Sequence, residues 1–180
     1  LNIVYVNGPA RANSIYNIDI RETKRYTNPE VMMPEGDIAR LAWAIYGTSA
    51  RFHNIHYKKY GIKAVINNIY AVDDFFFIDF SLYNKTNIKF DIDEIRITLT
   101  DKKEDKATNV QTIELTPVYE LNKQSSFKKG YRNLIVLNKL TFPNENILHL
   151  ELSENQISGR VIYIPIEYSD ILNAAGFDER

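Results

Sequence analysis

The strongest constraint on the fold is the run from residue 75 to residue 83, in which both alternating sets of positions carry large apolar side chains. One set consists of Phe76, Ile78, Phe80 and Leu82. Phe75, Phe77 and Tyr83 belong to the other set. Successive side chains of a β-strand point to opposite faces, so a strand here has apolar surface on two sides. Either it is a central strand covered on both faces, or one aromatic face is exposed and docks a partner.

The same alternation recurs along the chain, and turn residues such as Asn84–Asn87 separate the runs. Further predicted strands lie near Ile62–Ile66, Ile95–Leu99, Val110–Leu115, Tyr131–Leu140, Ile147–Leu152 and Gly159–Ile166. About seven short strands with frequent turn signals are typical of a sandwich or a barrel. We therefore predict a mainly β protein, an immunoglobulin-like β-sandwich of about seven strands with a short N-terminal helix and hairpin.

The pattern divides the chain into three segments. Residues 1–33 read as a β-hairpin tail of an upstream region, with any signal peptide further upstream. Residues 34–50 read as a connector helix, capped by Asp37 and ended by Gly47. Its apolar face follows the helical spacing and comprises Ile38, Leu41, Ala42 and Ile45. Residues 51–180 read as the β-sandwich domain, which closes with a short helix capped by Ser169.

Composition excludes several classes of protein. The chain has no Cys, so disulfide scaffolds and Cys-based zinc sites are impossible. Its 22 Lys and Arg residues balance 23 Asp and Glu residues, which argues against direct binding of nucleic acid. No apolar run approaches the roughly 20 residues needed to cross a bilayer.

No strong catalytic or metal-binding signature is present, and we predict neither an enzyme nor a cofactor. His53 and His56 have the spacing of half a metal site but lack a nearby carboxylate cluster. Asp91 and Asp93 would share one face of a regular strand, so with His149 they are the candidates for an alternative, catalytic hypothesis. We favour a solvated strand start as the interpretation of the two carboxylates.

Charge is distributed less evenly along the chain than the total suggests. The segment 73–94 is mainly acidic, whereas the segment 117–140 is mainly basic. These segments either form complementary faces for assembly or are two solvated edges. The residues that we predict to bind a partner are Phe75, Phe77, Tyr83, Lys128, Lys129 and Arg132.

Several blocks of this sequence resemble the conjugative transposon protein TraN family of Bacteroides-type elements. The most specific block runs from Asn84-Lys85-Thr86-Asn87 to Asp91-Ile92-Asp93. The resemblance also covers Tyr60–Ala64 and the segment from Val110 to Tyr119, and spans about residues 50 to 168.

The resemblance implies a structural component of a conjugative type IV secretion apparatus, in the periplasm and peripheral to the outer membrane. Its implied partners are other conjugative-transfer proteins, among them a small lipoprotein, within a larger oligomeric assembly. An alternative hypothesis is a periplasmic or surface module that binds a glycan or another small ligand through Trp43, Phe75, Phe77 or Tyr83.

Overall fold

The computed structural model describes residues 33–102, 112–156 and 159–177. Within these ranges the chain forms two helices, α1 (Glu35–Tyr46) and α2 (Tyr168–Leu172). The longer strands are β1 (His56–Lys59), β2 (Ile62–Val72), β3 (Phe75–Asn84), β4 (Phe90–Asp101), β8 (Gly130–Asn138), β9 (Asn146–Glu154) and β10 (Val161–Glu167). The short strands are β5 (Ile113–Leu115), β6 (Tyr119–Glu120), β7 (Ser126–Phe127) and β11 (Ala175–Gly176).

These strands form two sheets, which confirms the predicted β-sandwich. The first sheet has the order β1-β2-β3-β8-β6, with β11 pairing parallel to β2, and the second has the order β10-β9-β4-β5, with β7 pairing with β4. β1, β2 and β3 are consecutive antiparallel neighbours. An immunoglobulin constant domain instead changes sheets after its second strand, so the connectivity here differs from that arrangement.

The space between the two sheets holds the larger hydrophobic core. The even-numbered apolar positions of β3, from Phe76 to Leu82, face this core. The second sheet contributes Ile97, Leu99, Leu148, Leu150, Leu152, Ile162, Ile164 and Ile166. Alternation along each strand therefore sends one set of side chains inward, as the sequence predicts.

The opposite face of the first sheet is covered by α1, which makes the domain three layers deep. The helix residues Ile38, Leu41, Ala42 and Ile45 pack there in a second core. Phe75 and Phe77 are part of it and are 2% and 0% exposed. The compact unit begins at Met33 and includes the helix. α1 is thus a layer of the domain, and the expected role as a connector does not describe its packing.

Helix and strand ends differ from the prediction in several places. α1 follows Pro34 without a side-chain cap, so Asp37 lies in its first turn and does not cap it, whereas Gly47 is its C-cap as predicted. The closing helix α2 begins with Glu167 as N-cap, in a capping box with Asp170, and not with Ser169. The predicted hairpin in residues 1–33 lies almost wholly outside the described residues, as does the start of the strand predicted at 110.

Candidate docking surface

A buried ionic network fastens the segment after α1 to the first sheet. Asp79 of β3 is fully buried, and its two carboxylate oxygens accept four hydrogen bonds. Arg132 donates two of them, through Nε at 2.9 Å and Nη2 at 2.7 Å. The side-chain amides of Asn67 and Asn68 donate the others, at 2.9 and 3.1 Å. The buried charge is therefore both paired and fully hydrogen-bonded.

Two consecutive asparagines reach the same carboxylate because β2 contains a bulge. The register of β2 against β3 shifts between Ile66 and Asn68. An extra residue in a strand turns two neighbouring side chains towards one face. Asn67 and Asn68 both lie on the face covered by α1, where Asn68 also accepts a hydrogen bond from the backbone N–H of Arg51 at 3.1 Å. The bulge thus supplies the second amide donor.

Arg132 is held on two sides, which limits its use by a partner. Its guanidinium binds Asp79 and lies 4.2 Å from the ring centroid of Tyr46 on α1. The hydrogen bonds with Asp79 raise the pKa of Arg132 above its ordinary value. About a third of the side chain, 33%, is exposed. Arg132 was predicted to bind a partner, but its two side-chain hydrogen bonds are with Asp79 of the same domain.

Lysines gather at one end of the first sheet. Register places Lys58 opposite Lys63, Lys63 opposite Tyr83, and Tyr83 opposite Gly130. With neighbouring strands about 4.8 Å apart, this row of four Cα positions is roughly 14 Å wide. We call this end the lysine tip; it consists of Lys58, Lys59, Lys63, Lys85, Lys128 and Lys129, together with Tyr60, Tyr83 and Ile88.

Backbone hydrogen bonds connect the three turns that form the lysine tip. The backbone N–H of Lys85 donates to the carbonyl of Gly61 at 3.0 Å, and that of Asn84 donates to the carbonyl of Lys129 at 2.8 Å. Gly61 has φ +73°, and a Cβ there would lie 2.5 Å from Cγ2 of Thr86. The β1–β2 turn and the β3–β4 loop therefore approach each other at a position that only glycine fits.

Side-chain hydrogen bonds of Asn84 and Arg160 hold the backbone of the β3–β4 loop. The buried amide of Asn84 donates to the carbonyl of Ile88 at 2.7 Å, and its oxygen accepts from the backbone N–H of Thr86 at 2.9 Å. Arg160 donates to the carbonyl of Lys89 at 2.9 Å. Because the Asn84 nitrogen is already bonded in a buried position, the sequon Asn84-Lys85-Thr86 is poorly placed for glycosylation.

The lysine tip is a region of uncompensated positive charge. Its lysines are exposed except for Lys63, which is half-buried. Among the described residues, none of its six lysines forms an ion pair with a carboxylate. The segments 56–63, 83–89 and 126–132 contain neither Asp nor Glu. Asp91, which pairs with Ser126 in the β4–β7 ladder, is engaged by Lys89 at 2.6 Å.

Exposed apolar side chains stand among these lysines. Tyr60 is 47% exposed, Tyr83 is 51% exposed and Ile88 is 66% exposed. Nζ of Lys59 lies 4.8 Å from the ring centroid of Tyr60. Lysine combined with tyrosine and isoleucine at adjoining turns gives a surface that is both cationic and apolar, which is typical of a docking surface.

The predicted partner-binding residues thus separate into two groups. Phe75 and Phe77 are buried beneath α1, so the prediction that they form an exposed aromatic patch is wrong; helix packing covers that face. Tyr83, Lys128 and Lys129 come together at the lysine tip. Sequence reasoning missed the four other lysines, Lys58, Lys59, Lys63 and Lys85. The available signal was the run of lysines around the Tyr60-Gly61 turn.

The acidic segment 73–94 does not form a single face. Asp73 and Asp74 lie in the β2–β3 turn, at the end of the sheet opposite the lysine tip, and Asp74 pairs with Lys139 at 2.8 Å. Asp79 is neutralised internally, while Asp91 and Asp93 lie on β4 in the second sheet. The alternative in which this segment forms one acidic face for assembly is therefore not supported by the structure.

A groove crosses the outer face of the second sheet, and its volume is about 740 Å³. Tyr57, Thr100, His149 and Tyr163 are among its lining residues. Nδ1 of His149 lies 3.3 Å from the Thr100 hydroxyl, and no described residue binds its Nε2. Burial lowers the pKa of His149 below its usual value, so the neutral ring both donates and accepts hydrogen bonds. The volume lies in the range of ligand sites.

His149 does not meet the carboxylates that the catalytic hypothesis paired with it. It lies opposite Thr98 on β4, which is seven positions beyond Asp91 and five beyond Asp93. At about 3.3 Å per residue these separations are roughly 23 and 16 Å, beyond the reach of acid–base partners. A register shift between Ile92 and Glu94 also breaks the regular alternation at Asp93. The hypothesis of a catalytic site formed by Asp91, Asp93 and His149 is therefore wrong.

Within residues 33–102, 112–156 and 159–177, no group of three His, Cys, Asp or Glu side chains is placed to hold a metal ion. In the same ranges, no helix has the length and apolar character required to cross a membrane.

A family model matches most of this chain. The model of a family described as a domain of unknown function, DUF4138, matches residues 35–176. This range begins at the first residue of α1 and ends at the last residue of β11. No curated protein matches the chain.

Proposed function

We propose that this chain, which belongs to the DUF4138 family, is a structural component of a conjugative DNA-transfer apparatus. In this proposal the domain acts in the periplasm, associated with the outer membrane and with other proteins of a type IV secretion system. The TraN-like blocks of the sequence support this assignment. The observation that carries the docking role is the lysine tip, with six lysines that no described carboxylate neutralises.

The packing of the domain suits a rigid structural part. Asp79, Arg132 and Asn68 connect β3, β8 and β2, and Asn68 also contacts Thr48 after α1 at 3.4 Å. The turns of the lysine tip are fixed to one another by backbone hydrogen bonds. A surface that is already ordered loses less conformational entropy on binding. The domain therefore presents its lysines from a preorganised base, while protein–protein contacts of the remaining faces join it to neighbouring subunits.

Deleting the gene from a donor strain tests this function. We expect DNA transfer to recipient cells to be abolished while growth of the donor is unchanged, because a structural component serves only the transfer apparatus. Affinity purification of the full protein from the donor should recover other transfer proteins, including a small lipoprotein. Complementation with the intact gene controls for effects on neighbouring genes. Normal transfer by the deletion strain would contradict the proposal.

A second candidate function is the binding of a small ligand such as a glycan, and the groove favours it. The aromatic residues that first suggested ligand binding do not form a site, since Phe75 and Phe77 are buried. The groove instead has Tyr57 and Tyr163 as aromatic surfaces, with His149 and Thr100 as hydrogen-bonding groups. Aromatic rings with a few polar groups are the usual composition of such sites.

Titration of the domain with chitotriose, followed by NMR, tests ligand binding. We expect the amide signals of Thr100, His149 and Tyr163 to shift, and Tyr163→Ala to weaken binding at least about tenfold, in line with the loss of an aromatic contact. Trp43→Ala serves as a control, because Trp43 is exposed on α1 and does not line the groove. Shifts confined to other surfaces, or none, would exclude this oligosaccharide as the ligand of the groove.

A further inference from the structure

We infer that the lysine tip binds the surface of a membrane that contains anionic lipids, with Tyr60, Tyr83 and Ile88 entering the headgroup region. This inference rests on the proposed function in one respect, namely that the lysine tip is a docking surface. It names the occupant of that surface, a layer of lipid phosphates.

The charge of the lysine tip favours an anionic membrane surface. Its six lysines are concentrated on three adjoining turns, and no described acidic residue offsets them. Anionic lipids attract such clusters, and each basic residue near the surface strengthens binding by about fivefold. Attraction of this kind acts within a Debye length of the membrane, so lysines that protrude together at one end are well placed to act jointly.

The described part of the lysine tip contains lysine but no free arginine. Protein interfaces are enriched in arginine and depleted in lysine. Two arginines near the lysine tip are both occupied, Arg132 by Asp79 and Tyr46, and Arg160 by Glu154 and the carbonyl of Lys89. Lysine binds phosphate as a mobile point charge and needs no fixed geometry. A fluid layer of phosphates matches six flexible lysines better than an acidic protein surface does.

The kind and position of the exposed apolar residues also favour a membrane surface. Tyrosine is enriched at membrane interfaces because one end of its ring is apolar and the other is polar. Tyr60 lies in the β1–β2 turn, Tyr83 near the end of β3, and Ile88 in the loop before β4, where it is the most exposed of the three. Apolar side chains at the turns of a cationic end are placed to enter a headgroup layer while the lysines stay at the phosphates.

Co-sedimentation with vesicles tests the inference. The full chain is mixed with phosphatidylcholine vesicles, or with vesicles in which about a third of the lipid is phosphatidylglycerol, an anionic lipid. We expect binding to the anionic vesicles only, and weakening when salt rises from about 0.1 M to about 0.5 M because salt screens the charges. Equal binding to both vesicles, or no binding to either, would overturn the inference.

A matched pair of variants localises the effect. Lys58→Glu, Lys63→Glu and Lys128→Glu together reverse three charges of the lysine tip. Arg96→Glu, Lys123→Glu and Lys139→Glu change the net charge equally at exposed sites elsewhere. Thermal unfolding verifies that both variants fold. We expect the first variant to lose vesicle binding by at least about 100-fold, since each lysine contributes about fivefold, and the second to retain most of it. Equal losses of vesicle binding in the two variants would contradict the assignment of membrane binding to the lysine tip.

A fluorescence measurement tests the entry of Ile88 directly. In a Trp43→Phe background, which removes the one native tryptophan, Ile88→Trp supplies a single probe. We expect its emission to shift to shorter wavelength when anionic vesicles are added. An unchanged spectrum in vesicle-bound protein would contradict insertion of this side chain.

The outcomes for the membrane and for the apparatus are distinguishable. Vesicle binding together with normal transfer in the deletion strain supports the inference and contradicts the proposed function. Absence of vesicle binding, with transfer abolished by the deletion, contradicts the inference alone. Soluble poly-glutamate serves as a further probe: its binding to the lysine tip without vesicle binding would identify an acidic protein as the occupant and overturn the inference.

Discussion

Asp79→Ala is expected to destabilise the domain by about 3–5 kcal/mol, the usual loss when one partner of a buried ion pair is removed. The substitution leaves Arg132 without its carboxylate and removes one of two acceptors from each of the Asn67 and Asn68 amides, which keep only the hydroxyls of Ser81 and Thr48. Because a third of Arg132 is exposed, water can solvate part of the guanidinium, and the lower end of the range is expected. Urea denaturation measures the change as a lower transition midpoint.

Two further variants test whether burial of the ion pair causes that loss. Lys139→Ala removes a pair with Asp74 of similar length, 2.8 Å, whose side chains are 51% and 73% exposed. Exposed pairs contribute at most about 1 kcal/mol, so little change is expected. Asp79→Asn keeps the side-chain volume and one acceptor oxygen. Its loss of stability should therefore lie between the losses of Asp79→Ala and Lys139→Ala. If Asp79→Ala cost no more than Lys139→Ala, the buried network would not hold the domain together.

Phe77→Ala is expected to cost about 3–5 kcal/mol, as large-to-small substitutions of buried aromatic residues do. Its ring is 0% exposed and packs in the core beneath α1. Removing it leaves a cavity between the helix and the first sheet and weakens the attachment of the helix. Circular dichroism during thermal unfolding should show a markedly lower melting temperature than that of the unsubstituted chain.

Tyr83→Ala provides the matched control on the same strand. Tyr83 follows Phe77 at an even spacing on β3, so both side chains belong to the same face, but Tyr83 is 51% exposed. A surface substitution of this kind usually changes stability by no more than about 0.5 kcal/mol. If Tyr83→Ala destabilised the domain as much as Phe77→Ala, the burial of Phe77 beneath α1 would not explain the loss of stability.

The sequence predicts the sandwich well because two sheets that bury one face each impose strict alternation. Ile97 and Leu99, or Leu148 and Leu150, show this period directly. The sequence also predicts α1, because one face of a buried helix imposes its own period. The residues with this spacing are Ile38, Leu41, Ala42 and Ile45. Alternation alone does not reveal what covers a two-sided strand, so the exposure of Phe75 and Phe77 could be decided only from the packing of the helix.

The lysine tip could not be predicted as a unit, because its residues are distant in sequence. Strand β1 has the sequence His-Tyr-Lys-Lys, which lacks the apolar alternation that identifies a strand. Without β1, the position of Lys58 beside Lys63 is not visible. The bulges at Asn67 and Asp93 are likewise hidden, because one extra residue changes which side chains share a face. The Asp79 network depends on such a bulge.

The docking role of the lysine tip is tested most directly by the frequency of DNA transfer from variant donors. In these donors the chromosomal copy of the gene carries Lys58→Glu, Lys63→Glu and Lys128→Glu. The protein level is verified by immunoblotting, and the donor with Arg96→Glu, Lys123→Glu and Lys139→Glu is the control. If the lysine tip is the docking surface of a transfer component, the frequency should fall to that of the deletion strain, and the control donor should transfer normally. Normal transfer by the lysine-tip variant at normal protein level would contradict the account.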